Sequence, residues 1–169
     1  MKTYIYMLGL MAVCAAGGFA QDVQPPAKET TADAPDVKVT KDEVLKAIAS
    51  FRRDPSGAKE SGVAQTIFNF ADQSPDVHIA LGERDTPWSG DKLDEKYSAL
   101  LLTAFLAGEV RSQLEAHAAK DDPMAGALQV IDTYQLLKKA DAKFRSPGVE
   151  QWIVLQSQGK LRAELEVKE

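Results

Sequence analysis

The sequence predicts an all-α protein: a single small domain of about five helices, packed as irregular helical hairpins around a long central helix. Apolar side chains recur every three to four positions from Val44 to Leu155, the spacing that places them on one face of a helix. The stretch 93–119 carries two apolar stripes on roughly opposite sides, as expected of a helix enclosed by its neighbours. Several prolines directly follow a side chain that can cap a helix.

The first twenty residues have the three parts of a secretory signal peptide. Lys2 gives a positive start, an apolar run follows from Tyr4 to Ala16, and the small residues Gly18 and Ala20 precede the polar Gln21. The apolar run is shorter than the roughly 20 residues that span a bilayer. We therefore expect residues 1–20 to be a signal peptide. The mature chain, without a transmembrane segment, would be exported to the bacterial periplasm or beyond.

Two alternatives to a cleaved signal peptide stay open. The apolar run could be an uncleaved membrane anchor, or Cys14 could carry a lipid, although Val13 is larger than the residue that usually precedes a lipidated cysteine. Cleavage after Ala20 would remove Cys14, which is the only cysteine. The mature domain would then have no disulfide and would depend on its core for stability.

Residues 21–38 are predicted to form a disordered linker before a helical domain at residues 39–169. The linker holds three prolines, and its only large apolar residues are Val23 and Val37, so it cannot bury enough surface to become ordered. The whole chain has a net charge of −5, from 20 basic and 25 acidic side chains. No run of lysine and arginine is longer than two residues, which argues against nucleic acid and anionic membranes as partners.

The first helix is predicted from Lys41 to Arg53. Thr40 and Glu43 have the spacing of a capping box, in which each side chain bonds the backbone N–H of the other residue. Val39 and Val44 occupy the two positions of a hydrophobic staple. Positive charge at the end of the helix suits the helix dipole.

Four further helix starts are predicted where a capping side chain precedes a proline. These dipeptides are Asp54-Pro55, Ser74-Pro75, Asp122-Pro123 and Ser146-Pro147. The second helix is best defined from Gly62 to Asp72. The segment Asp76–Leu81 suits either a short helix or a strand, and we favour the helix because no partner strand is apparent nearby.

The remaining helices are predicted at 93–119, 123–142 and from Pro147 to about Gly159. Ala104 and Gly108 are four residues apart in the longest of them, so a neighbouring helix could approach closely there. The tail 160–169 alternates apolar and polar residues and could be helix or strand, with helix favoured.

The motifs of common enzymes and metal sites are missing from the sequence. It has no G-x-S-x-G or S-x-x-K motif for a nucleophile and no glycine-rich phosphate loop. Its two histidines, His78 and His117, are far apart in the chain, and neither has a second histidine three or four residues away. We therefore predict no catalytic residue, no cofactor and no metal site.

Five residues are candidates for binding a ligand or a partner: Trp88, Glu109, Arg111, His117 and Trp152. Arg111 continues an apolar stripe, so its guanidinium must be paired or reach water by its stem, and Asp132 or Asp72 could pair with it. The two interpretations are a structural ion pair and an anion site in a helical groove, with the ion pair favoured. His117 is expected to be a half-buried helix residue rather than a general base. Trp88, in a turn-rich loop, is expected to cover the core, and ligand stacking is the alternative.

Three functions follow from these observations as hypotheses. The first is a non-catalytic interaction domain in the bacterial envelope that holds a protein partner in a groove between helices or at the Trp88 loop. The second is a binder of a small apolar or anionic ligand, with a closed pocket between helices and Arg111 at one end. That pocket would be lined by Phe105, Leu106, Tyr134 and Trp152. The third, least favoured, is an acid–base hydrolase in which a histidine meets a carboxylate.

Overall fold

The computed structural model describes residues 38–58 and 61–166, and its regular structure is entirely helical. Two single-turn 3₁₀ helices, Glu83–Asp85 and Pro87–Gly90, accompany six α-helices. The α-helices are α1 (Lys41–Arg53), α2 (Val63–Gln73), α3 (Glu95–Ala116), α4 (Pro123–Ala140), α5 (Pro147–Ser157) and α6 (Leu161–Glu166). The predicted all-α fold with a long central helix is confirmed, with one helix more than the five expected.

The capping box at the start of α1 is present as predicted. The backbone N–H of Thr40 donates to the Glu43 carboxylate at 2.8 Å, and the backbone N–H of Glu43 donates to the Thr40 hydroxyl at 3.3 Å. The helix has the predicted bounds, and its inward face carries Val44, Ile48 and Phe51. Local side chains therefore start this helix, and burial of one face holds it in place.

The central helix α3 is enclosed by its neighbours. It packs against α1 and α2 and, most extensively, against α4. Every residue from Thr103 to Val110 is buried, which is about two full helical turns. The two apolar stripes seen in the sequence therefore correspond to a helix covered on more than one side.

Helices α3 and α4 approach each other closely at two glycines. A Cβ atom at Gly108 would meet the backbone carbonyl of Ala125 and would lie 2.9 Å from the Cβ atom of Gln129. A Cβ atom at Gly126 would lie 2.7 Å from the ring of Phe105. The close helix approach predicted at Gly108 is thus present, and position 108 has no room for a larger side chain.

The segment Asp76–Leu81 is neither the helix we favoured nor a strand. A turn at residues 75–76 leads into extended chain whose backbone groups are bonded by side chains of the domain. The Gln113 amide accepts from the His78 N–H at 2.7 Å and donates to the His78 carbonyl at 2.9 Å. The Asp121 carboxylate accepts from the Ala80 N–H at 2.8 Å. These distant side chains replace the partners that a helix or strand would supply.

Two of the four predicted proline helix starts are wrong. Asp54 accepts from the Gly57 N–H at 3.2 Å, and Ser74 accepts from the Asp76 N–H at 3.2 Å, so each caps a short turn that does not continue as a helix. Helix α2 begins instead after Gly62, whose φ of 72° favours glycine.

The other two proline starts are confirmed. Asp122 accepts from the Ala125 N–H at the start of α4, and Ser146 accepts from the Val149 N–H at the start of α5, both at 3.3 Å. The described part of the tail is helical, as favoured, and forms α6.

Helix α3 ends earlier than predicted, and this changes the position of His117. The helix stops at Ala116 because His117 adopts a left-handed backbone conformation, with φ of 52°. His117 is exposed, so the prediction of a half-buried helix residue is wrong. Because the helix ends before His117, this residue does not continue the apolar stripe of α3.

The predicted signal peptide, the linker up to residue 37 and Cys14 lie outside the described residues. Within residues 38–58 and 61–166, no helix combines the length and the apolarity needed to cross a bilayer.

Candidate functional site

The two tryptophans are in contact inside the domain. Trp88, from the second 3₁₀ helix, and Trp152, from α5, are each 3% exposed. Their ring centroids lie 6.0 Å apart at an interplanar angle of 88°, an edge-to-face contact. Gly148 allows this loop to approach α5, because a Cβ atom there would meet the backbone of Pro87. The rings join the loop to the core and present almost no surface to a ligand.

The other aromatic and aliphatic residues that were expected to line a closed pocket are packed against neighbouring side chains. Phe105 is fully buried against Gly126, and Leu106 is 5% exposed. Tyr134, 1% exposed, packs against Phe144 with ring centroids 5.3 Å apart. These side chains occupy the interior that the pocket hypothesis assigns to a ligand.

Glu109 is a fully buried carboxyl at the α3–α4 contact. Its Oε2 accepts from the Gln113 side-chain amide at 2.9 Å and from the backbone N–H of Asp122 at 2.8 Å, while its Oε1 has no hydrogen-bond partner in the described part of the chain. Burial raises the pKa of Glu109 from its ordinary value of 4.5 to about 7, and the nearby carboxylates of Asp121 and Asp122 add to the rise. The two hydrogen bonds oppose the rise only in part.

The Glu109 carboxyl connects three parts of the chain. It bonds the N-cap residue of α4, and through Gln113 it is connected to the extended segment at His78. Ser112 strengthens the same end of α4 by donating to Asp122 at 2.5 Å. A pKa near neutrality would suit Glu109 to proton transfer. The Glu109 side chain is 0% exposed, however, so a substrate would have no access to it.

Among the described residues, the two histidines lack the partner that acid–base catalysis requires. Both His78 and His117 are exposed, and no other described residue forms a hydrogen bond or ion pair with either imidazole ring. His78 takes part in the Gln113 contact only through its backbone. The hydrolase hypothesis therefore finds no His–carboxylate pair among the described residues.

Arg111 does not pair with either predicted carboxylate. Its Nε lies 3.9 Å from Oε1 of Glu115, one turn further along α3. Although this nitrogen is buried, it makes no hydrogen bond with any described residue. Asp72 is exposed at the end of α2, and Asp132 faces a different groove. The expected pairing is wrong because it was assigned by helical position alone, and the neighbouring helices present their carboxylates elsewhere. A long, half-exposed pair of this kind contributes little to stability.

Two surface grooves remain as candidate sites. The larger, of about 820 Å³, lies where the end of α3 and the start of α4 meet α6, and we call it the α3–α6 groove. Its lining contains the cations Lys120 and Arg162 and the carboxylates Asp121, Asp122 and Glu166. Arg162 pairs with Glu166 at 3.4 Å. The carboxylates outnumber the cations here, so the groove offers an incoming group no excess positive charge.

The second groove, of about 480 Å³, lies between the last turn of α1 and one face of α4, and we call it the α1–α4 groove. Its lining residues are Ala49, Arg52, Arg53, Gln129, Asp132, Gln135, Leu136 and Lys139. Three cations thus face a single carboxylate. The side chains of Arg52, Arg53 and Lys139 form no ion pair or hydrogen bond with another described residue.

The lining of the α1–α4 groove follows from helix periodicity. Gln129, Asp132, Leu136 and Lys139 recur at intervals of three or four residues, so they share one face of α4 over about 15 Å. Leu136 on this face is 38% exposed, one of the few large apolar side chains with substantial exposure in the described part of the chain. The groove thus combines an exposed apolar side chain with positive charge that no residue of the described part of the chain pairs.

The sequence predicts for Arg52 and Arg53 only a favourable interaction with the helix dipole, and it places Lys139 near the end of a different helix. The position of Lys139 beside the two arginines depends on how α1 and α4 pack around α3, which no local pattern reveals. Compared with protein-family models, curated proteins and solved structures, the chain has no match.

Proposed function

We propose that this chain is an exported, non-catalytic helical domain of the bacterial envelope that binds a protein partner in the α1–α4 groove. The observation that carries the proposal is a set of cations at this groove, Arg52, Arg53 and Lys139, that no described residue pairs, beside the exposed Leu136. This set lies on a chain whose net charge is −5. Arginine is enriched at protein–protein interfaces and among the residues that contribute most to binding.

The size of the α1–α4 groove favours a short segment of a partner over a whole domain. Its α4 face extends over about 15 Å, a length that roughly five residues of extended chain would cover. Grooves between helices commonly receive single peptide segments, which bury one anchor side chain and bond through polar groups around it. Leu136 would contact the anchor, and the guanidinium groups would supply the polar bonds.

The alternatives have less support from the described residues. Tyr134 and Trp152, assigned to a small-ligand pocket, are buried against Phe144 and Trp88. The histidines assigned to hydrolysis are exposed, and their imidazole rings have no partner among the described residues. Export is supported by the sequence of residues 1–20, with its positive start, apolar run and small residues before the expected cleavage point.

Co-purification from the native host tests this proposal. The tagged full-length chain is compared with the variant Arg52→Gln/Arg53→Gln, which loses two cations from the α1–α4 groove. The matched control is Lys120→Gln/Arg162→Gln, which loses the same charge from the α3–α6 groove.

We expect one or a few envelope proteins whose recovery falls about tenfold in the first variant and is unchanged in the control. Loss only in the control variant, or equal recovery by all three proteins, would overturn the proposal. Circular dichroism of the purified variants verifies that each retains its helical fold.

A further inference from the structure

We infer that the segment held in the α1–α4 groove is an acidic peptide stretch, with aspartate or glutamate residues on both sides of one apolar side chain that packs on Leu136. This inference rests on the proposed function and specifies the chemistry of the partner.

Charge complementarity supplies the first argument. The three cations and one carboxylate of the groove give it a formal charge of 3 − 1 = +2, whereas the whole chain has −5. An acidic segment is therefore repelled by most of the surface and attracted to this groove. A basic segment is attracted to most of the surface and repelled by the groove. The charge pattern thus favours acidic partners and also selects where they bind.

The donors of the groove supply the second argument. Each guanidinium group of Arg52 and Arg53 has five N–H donors in a planar fork that matches a carboxylate in a bidentate arrangement. Neither side chain has a carboxylate partner among the described residues, so these donors are free to bond an incoming group. Lys139, on the neighbouring helix, provides a third charge and allows the acidic residues of a ligand to lie on both sides of its apolar anchor.

The position of Leu136 supplies the third argument. Leu136 lies between Asp132 and Lys139 on the exposed face of α4 and retains 38% of its surface exposed. An apolar side chain of the ligand that covers Leu136 would remove this surface from water and would also lower the dielectric around the ion pairs. Acidic residues alone would bind weakly and without a fixed register, so the apolar anchor determines where the segment sits.

Fluorescence anisotropy with short labelled peptides tests this inference on the purified full-length chain. The probe peptide has a central leucine flanked by aspartate and glutamate. One control peptide has lysine at every acidic position, and a second has alanine in place of leucine. Each peptide is titrated at low and at high ionic strength with the unaltered chain, with Arg52→Gln/Arg53→Gln and with Lys120→Gln/Arg162→Gln.

We expect the acidic leucine peptide to bind at low ionic strength and to weaken as salt is added. Its affinity should fall about tenfold in Arg52→Gln/Arg53→Gln and less than about twofold in the control variant. The alanine peptide should bind several-fold more weakly, and the variant Leu136→Ala should abolish this difference between the two peptides.

Three results would overturn the inference: equal binding of the lysine peptide, equal binding by the Arg52→Gln/Arg53→Gln variant, or no binding of the acidic peptide at low ionic strength. These results are separate from a failure of the proposed function. If co-purification depends on the groove arginines while the acidic peptide does not bind, the partner is not acidic but the groove still binds a protein. If co-purification does not depend on these arginines either, both proposals fail.

Discussion

Replacement of the buried Glu109 by glutamine is predicted to make the domain more stable at alkaline pH. The carboxyl is fully buried, and burial raises its pKa from 4.5 to about 7. At about 1.4 kcal/mol per pKa unit, this rise in pKa means that the ionised carboxyl lowers the unfolding free energy by about 3 kcal/mol. An amide of the same shape keeps an acceptor oxygen for Gln113 and for the Asp122 N–H and carries no charge.

The pH range of the effect follows from the direction of the shift. The folded state holds this proton more tightly than the unfolded chain, so the folded state has more bound protons between pH 4.5 and about pH 7. The unfolding free energy of the unaltered chain therefore falls as pH rises through this range, and the full cost is present above it. Below pH 4.5 the carboxyl is protonated in both states and contributes no pH dependence.

Urea unfolding followed by tryptophan fluorescence measures this effect, since Trp88 and Trp152 are both buried in the fold. At about pH 5 the Glu109→Gln variant should match the unaltered chain to within about 1 kcal/mol, because the amide N–H₂ and the protonated carboxyl both lack an acceptor at the Oε1 position. At about pH 8 the variant should be more stable by about 2 to 3 kcal/mol. The exposed Glu164→Gln variant is the control and should follow the unaltered chain. Parallel pH curves for Glu109→Gln and the unaltered chain would refute the reasoning.

Two further predictions concern the packing of α3. The variant Gly108→Ala should lose about 2 kcal/mol of unfolding free energy in the same urea assay, because its Cβ atom would meet the backbone of Ala125. The control variant Gly90→Ala has open space around its Cβ position and should change little. Equal effects of the two substitutions would contradict the close helix contact. The variant Gln113→Ala should increase proteolytic cleavage within residues 77–81, because the backbone of His78 loses both of its hydrogen bonds to the Gln113 amide. The control is Gln151→Ala. If both variants are cleaved at the same rate, the segment is held by other contacts.

The sequence predicts well those elements whose determinants are close together in the chain. The start of α1 follows from Thr40 and Glu43, which are three residues apart, and the start of α5 follows from Ser146 and its proline. Asp54 and Ser74 carry the same local signal, yet each caps only a turn. A capping side chain can satisfy a turn as well as a helix, so the residues that follow decide which of the two forms.

Sequence patterns do not predict features that depend on contacts between residues far apart in the chain. The extended conformation at His78 depends on Gln113, from α3, and on Asp121, from the loop after it. The pKa of Glu109 depends on its burial and on the nearby carboxylates of Asp121 and Asp122. The α1–α4 groove has the same origin, because its arginines and its lysine belong to helices that only the tertiary structure brings together.

Site-specific photo-crosslinking in the native host tests most directly whether the α1–α4 groove holds a protein partner. A photoreactive amino acid replaces Gln135, which is exposed and lines the groove, or Gln151, which is exposed on α5 outside it. We predict a discrete protein adduct from position 135 that is missing from position 151 and is lost when Arg52 and Arg53 are changed to glutamine. The same adducts from both positions, or an adduct from position 151 alone, would contradict the account.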